Sequence, residues 1–168
     1  EDNAGWVATS LNRLSNACIN SDGTDLDTTI AQYLDWDSAI DYFIFTVLLA
    51  GQDMTCKNYI LTTFDGTKWY FSAYDMDSTY GLQWDGKAFL HAGVTPTFEL
   101  YAEKHRLMEL IVTYKKDALK ARYAQLRGWV MSEDNVAYQF GNFAAAFPSP
   151  VLMQDVKKWT TIPNTAAN

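Results

Sequence analysis

Apolar residues recur at spacings near three and four through Trp6, Val7, Leu11, Leu14 and Cys18, which predicts an amphipathic helix ending at the Ser21-Asp22-Gly23 turn. Asp25 or Asp27 is expected to cap a helix before Ile30 and Tyr33. Asp35 is expected to start a more apolar one through Ala39, Tyr42, Phe43, Phe45, Val47 and Leu49. With so few polar positions, that helix should be central and buried. After Gly51 the pattern changes: Tyr59 to Phe64 and Lys68 to Tyr74 read as two strands around Asp65-Gly66, a β-hairpin. Ser78 to Thr97 contains Gly81, Gly86, Gly93 and Pro96 with little periodicity, so a long loop is expected there, of a kind that can lie over a substrate.

Helical spacing returns from Phe98 through Leu107 and Ile111, and again from Tyr114 through Leu126. A third helix is predicted from Ser132 through Phe143, with Ser132-Glu133-Asp134 as its capped, acidic start. A last one passes Val151, Val156 and Trp159 and frays at Pro163. The predicted class is α+β, dominated by helix around one hairpin.

The 168 residues, 48% hydrophobic, supply one core and predict a single domain. The chain opens at Glu1 without an initiator Met or a signal-like segment, and so reads as a processed or excised part of something longer. The longest apolar run, Ile44 to Gly51, falls far short of the ~20 residues of a membrane span. A net charge of -7, with 13 basic residues scattered among 20 acids, argues against nucleic acid as a partner and suits an acidic cleft for divalent cations. Cys18 and Cys56 lack the spacing and the nearby histidines of a zinc site; a disulfide and two free thiols both remain open. The aromatic residues, 15% of the chain, fall mostly at helix or strand periods, which favours a core role. The competing reading, a sugar-binding surface, would use Trp69, Trp84 or Trp159.

Chemistry-bearing residues gather at both ends of the hairpin: Asp53, Lys57 and Asn58 before it, Asp75 and Asp77 after it. Because hairpin ends lie close together, three carboxylates and an amide would face one small volume. Crowded carboxylates repel unless a cation sits among them, and oxygen ligands of this kind suit Mg²⁺ or Mn²⁺ held jointly with phosphate. Taken singly, each Asp has a plainer reading as a turn cap or loop residue. Lys57 could neutralise a phosphate or be an ordinary surface lysine, and Gly81 could admit the backbone near a metal or simply make a turn. His91 and His105 stand alone and read as structural or solvated.

In protein kinases a catalytic Asp and a metal-binding Asn stand five positions apart, and a second metal-binding Asp follows a short hairpin. Asp53 and Asn58 have that separation, and Asp75-Met76-Asp77 stands where kinases have Asp-Phe-Gly. No His-Arg precedes Asp53 and no Gly follows Asp77 directly. From Leu34-Asp35 to Gly81 the chain resembles the CotH-type atypical kinases. The resemblance rests on the aromatic-rich helix, Asp53, Lys57-Asn58-Tyr59, Asp65-Gly66 with Lys68-Trp69, and Asp75-Met76-Asp77 before Tyr80-Gly81. That family usually has Trp-Asp-Leu-Asp where Tyr74-Asp75-Met76-Asp77 stands here. Leu119, Arg122, Tyr123, Leu126, Arg127 and Ser132-Glu133 extend the resemblance into the helical part.

The resemblance implies a mostly helical, protein-kinase-like C-lobe whose hairpin carries the metal site. It implies Asp53 as the base that accepts the substrate hydroxyl proton, Asn58 as a metal ligand, Asp75 as the main ligand, and Asp77 as a second ligand or a residue orienting the first. Lys57 and Asn58 would face the nucleotide. The implied cofactor is Mg or Mn with ATP, and the implied partners are ATP and a protein substrate of a coat or surface. An extracellular, spore-coat or virion setting follows from the same resemblance. No glycine-rich phosphate loop and no strand lysine paired with a helix glutamate precede Asp53, so a nucleotide-covering lobe is expected upstream of Glu1. A non-catalytic structural or adhesion module on the same scaffold is the alternative.

Overall fold

The computed structural model describes residues 5–51, 53–83, 85, 87, 95–103 and 105–160. Trp84 and His91 lie outside the described residues, as does most of the expected loop before Thr97.

Helix α1 (Gly5–Asn20) turns Leu14 and Cys18 inward and leaves Trp6 and Ile19 largely exposed. Neither Asp25 nor Asp27 caps a helix. The segment Ile30–Gln32 is a single 3₁₀ turn behind Thr29, which makes no side-chain cap bond. The Asp25 carboxylate instead accepts from the Ser21 hydroxyl at 2.5 Å, and Asp27 pairs with Lys115. Asp35 caps α2 (Trp36–Leu48) as expected, its carboxylate accepting from the Ser38 amide at 2.9 Å. Phe43, Ile44 and Thr46 of α2 are wholly buried, so α2 is the central element. The Thr46 hydroxyl spends its proton on the Tyr42 carbonyl, which satisfies it inside the helix.

The hairpin consists of β1 (Tyr59–Thr63) and β2 (Trp69–Ala73), antiparallel with Tyr59 opposite Ala73 and Thr63 opposite Trp69. Asp65 builds its turn, with one carboxylate oxygen accepting from the amides of Thr67 and Lys68, both at 2.8 Å, while Gly66 takes φ 76°. Trp69 lies at the centre of the α1 and hairpin packing, and its indole N–H donates to Ser10 at 3.0 Å. At 4% exposure it offers no platform for a sugar.

The predicted helix from Phe98 to Ile111 is two helices, α3 (Phe98–Ala102) and α4 (Arg106–Tyr114), because His105 is extended between them. Its amide still closes onto the Ala102 carbonyl at 3.0 Å. Helix α5 (Lys116–Arg127) returns beside α2, clamped by Arg122, whose guanidinium holds both oxygens of Asp41 at 2.6 and 2.7 Å. Helices α6 (Glu133–Ala146) and α7 (Ser149–Lys158) follow, with Ser132 capping α6. The described residues thus form an α+β fold with a two-stranded sheet.

The core role expected for the aromatics holds for Tyr42, Phe43, Trp69 and Tyr101 and fails beyond α5, where Trp129, Tyr138, Phe143 and Trp159 are exposed. Neither α6 nor α7 buries a residue. Their apolar spacing forms the helices but finds little to pack on among the described residues; Phe140, edge-on to Tyr80 at 5.3 Å, is one contact α6 does make.

The end of α2 carries an unusual cap. The Gly51 amide reaches the Thr46 carbonyl and the Ala50 amide the Val47 carbonyl, the bond pair of a Schellman motif. The left-handed residue is Ala50, φ 49°, where glycine is usual. Gly51 is required for a different reason: a Cβ there would stand 2.2 Å from the sulfur of wholly buried Met54. Gly51→Ala is therefore expected to lower stability by about 1–3 kcal/mol through overpacking. A urea midpoint that falls at unchanged slope would bear this out, and an unmoved midpoint would mean that Met54 yields freely.

Candidate functional site

Three stretches meet beside Asp53: the end of α2, the loop from Asp53 to Asn58, and the exit from β2. The loop winds around one oxygen, as the Asp53 carbonyl accepts from the amides of Cys56 and Lys57 at 3.0 Å and of Asn58 at 3.4 Å. Met54 and Thr55 are buried beneath it. Tyr42 of α2 holds it from below, its hydroxyl facing the carbonyls of Met54 at 2.5 Å and Asn58 at 3.1 Å. Burial pushes the Tyr42 phenol up to about 12, so it keeps the proton it shares between them. Its ring stacks on Phe71 of β2 at 5.1 Å, which joins helix, loop and hairpin in one packed unit.

Asn58 is the hub. At 7% exposure, its amide donates to Asp53 Oδ1 at 2.9 Å and to the backbone carbonyl of Asp75 at 3.0 Å. Both N–H protons are spent, and its Oδ1 accepts no bond among the described residues. That oxygen is the atom left for a ligand. Lys57 Nζ lies 2.9 Å from Asp53 Oδ2. Its pKa is raised first by that bond and charge, then by the charges of Asp75 and Asp77, which puts both later carboxylates within its electrostatic reach.

The exit from β2 is bent to reach this point. Asp75 and Tyr80 take left-handed φ of 52° and 56°. With Ala50 they are the non-glycine residues at positive φ among those described, and all three flank the site. Backbone strain of this kind, of order 1–3 kcal/mol per residue, persists where surroundings over-determine it. Here the Tyr80 amide bonds the Leu49 carbonyl, and the Thr79 hydroxyl donates to the Met76 carbonyl at 3.0 Å. The return loop is thereby tied to the end of α2.

Of the residues singled out in sequence, Asp53, Lys57, Asn58 and Asp75 come together here, Asp75 through its backbone. Asp75 and Asp77 are exposed residues, and among the described residues no three of His, Cys, Asp or Glu gather closely enough to hold a metal ion. The Asn58 amide is the hub of this group, and Lys57 meets part of the negative charge of Asp53. His105 stands against Tyr59, ring centroids 6.0 Å apart, and touches none of these groups. Cys18 is buried and Cys56 exposed, both as free thiols. Sequence reasoning missed Tyr42 and Ala50. A hydroxyl in the most apolar helix was the available signal for Tyr42, since a buried phenol must find an acceptor.

The fold and these residues define an α+β domain that presents an Asp-Asn pair at the mouth of a hairpin. Residues 5–168 match the profile of the CotH kinase protein family, and the chain belongs to that family. No curated protein and no solved structure matches the chain.

Proposed function

We propose that the chain is the C-lobe of an atypical kinase that transfers the γ-phosphoryl group of ATP, with Mg²⁺ or Mn²⁺, to Ser or Thr of a coat or surface protein. The observation that carries this reading is the Asn58 amide, which bridges the Asp53 carboxylate and the Asp75 backbone and so fixes a base beside the strand exit. Membership of the CotH kinase family supports it. The donor set fits a hard cation that arrives with phosphate oxygens and water: one amide oxygen and two exposed carboxylates, with no closed protein cage. Asn58, Asp75 and Asp77 would hold it, and when bound it would supply neutralising charge at the β- and γ-phosphates.

Asp53 Oδ1 is pinned by Asn58, which leaves Oδ2 to receive a proton. Lys57 occupies Oδ2 through an ion pair exposed at its lysine end, a contact that a long, solvated side chain readily gives up. Freed, its ammonium can meet phosphate while Asp53 takes the hydroxyl proton. In that step the substrate oxygen bonds to the γ-phosphorus and the bond from that phosphorus to ADP breaks. The reading takes turnover to be a property of the longer polypeptide that supplies a lobe over the nucleotide.

Calorimetric titration of Mn²⁺ with ATP is the first test. Binding to the parent chain, lost in Asp75→Ala, is the expected result. Equal binding or equal absence of binding in both would leave the second reading, a structural or adhesion module, in possession of this chain. That reading has its own support in the exposed apolar surface of α6 and α7, which suits an assembly contact.

A further inference from the structure

A cavity of about 370 Å³ lies between α1, the hairpin and α4, away from Asp53. Leu11, Leu14, Ile19, Leu61, Phe71 and Leu107 give it an apolar wall, and Tyr59, His105, Cys18 and Ser15 add neutral polar groups. Its size falls in the range of small-molecule pockets, roughly 300–1,000 Å³. His105 Nδ1 is sealed from solvent and has no hydrogen-bond partner among the described residues, while Nε2 stands 3.5 Å from the Tyr59 hydroxyl, at the outer limit of a bond. Nδ1 is out of a ligand's reach, but Nε2 and the Tyr59 hydroxyl hold each other so loosely that a hydroxyl or carbonyl placed beside them would satisfy both better.

We propose that this cavity binds a small, neutral, largely apolar molecule carrying one hydroxyl or carbonyl group, which His105 and Tyr59 recognise.

The lining decides the charge of the ligand. Arg106 borders the cavity, and three of its five N–H groups are engaged: Nε on the Cys18 carbonyl at 3.3 Å, Nη2 on the Ser21 carbonyl at 2.8 Å, and Nη1 on Glu109 at 3.2 Å. The guanidinium charge that an anion would need is already paired with Glu109. No Asp or Glu lines the cavity, so a cation finds no counter-charge. The polar groups agree. Burial lowers the His105 pKa, against smaller opposing pulls from its own backbone and Glu109, and pushes the Cys18 thiol up to about 11. Both are neutral near pH 7, and a neutral imidazole offers one donor and one acceptor.

p-Cresol and toluene, which differ by one hydroxyl, are suitable probes. Titrated into the chain with NMR detection, p-cresol is expected to bind saturably and to shift the signals of the Leu14 and Leu61 methyls and the His105 ring. Toluene should bind at the same place about five- to tenfold more weakly, the worth of one hydrogen bond. Leu14→Trp, which fills the cavity, should abolish both. His105→Phe keeps the shape, guards against a misfolded Leu14→Trp, and should bring p-cresol down to the toluene level. Absence of saturable shifts for either probe in the unaltered chain overturns the proposal, as does binding left intact by both substitutions. None of these readouts depends on phosphoryl transfer, so they stand apart from the kinase reading.

Discussion

Asp53→Asn is expected, on the kinase reading proposed above, to lower phosphoryl transfer by about 10²–10⁴-fold, the usual worth of a positioned general base. Asn has the shape of Asp, and its amide oxygen can still accept from Asn58, so the loop should keep its form. What is lost is the proton acceptor and the Lys57 ion pair, whose lysine end is solvated and adds little to stability. Binding of Mn²⁺ with ATP should therefore stay within a few-fold, and the thermal midpoint should barely move. The split between retained binding and lost turnover is the informative part. Turnover within about threefold of the parent would remove Asp53 from the reaction, whatever the family suggests. A collapse in stability would show that the Asp53 carboxylate serves the fold first.

Where a residue's role is local, the sequence discloses it. Asp35 before an apolar run is a cap because a carboxylate at that place satisfies an orphan amide, and Ser38 receives it. Asp65-Gly66 makes a turn because the carboxylate binds two amides ahead and glycine accepts the positive φ. The Asp53 and Asn58 spacing is legible for the same reason, since both lie in one loop. Asp75 was placed by the hairpin alone, which brings strand ends together whatever the side chains do.

The illegible parts depend on partners distant in sequence. Tyr42 and Phe43 look alike in an apolar run, but the tyrosine hydroxyl chooses the carbonyls of Met54 and Asn58 only once the loop has returned. The left-handed turn falls at Ala50 because Gly51 is needed against Met54, which no local rule reveals. That Lys57 faces Asp53 is likewise not given by its place in the sequence, since an exposed lysine can turn to several neighbours. Periodicity also cannot say whether an apolar face has a mate. It predicts α6 as a helix without showing that its apolar residues stay unburied.

Trp69→Ala should be among the most destabilising single changes in the chain, at about 3–5 kcal/mol for the loss of a buried indole. The cost is large because Trp69 serves three elements. Its side chain fills the space between α1 and the hairpin and donates to Ser10, whose own hydroxyl donates to the Gly66 carbonyl at 2.7 Å. Its backbone takes a bond from the Asp35 amide at 2.9 Å and gives one to the Tyr33 carbonyl at 2.8 Å. Those backbone bonds survive the substitution, so the entry to α2 should persist while the turn end of the hairpin loosens. Tyr42, stacked on Phe71, holds the opposite end, where Asn58 and Asp75 lie. Amide exchange should accordingly rise most at Thr63 and Gly66 and less at Tyr59 and Ala73. Trp69→Phe, which keeps the ring but drops the Ser10 bond, should cost much less. Against a typical domain stability of about 5–15 kcal/mol, that loss removes a large share of the folding margin. A urea-derived loss below about 1 kcal/mol would show that α1 and the hairpin pack independently of Trp69, and the site would then rest on Tyr42 alone.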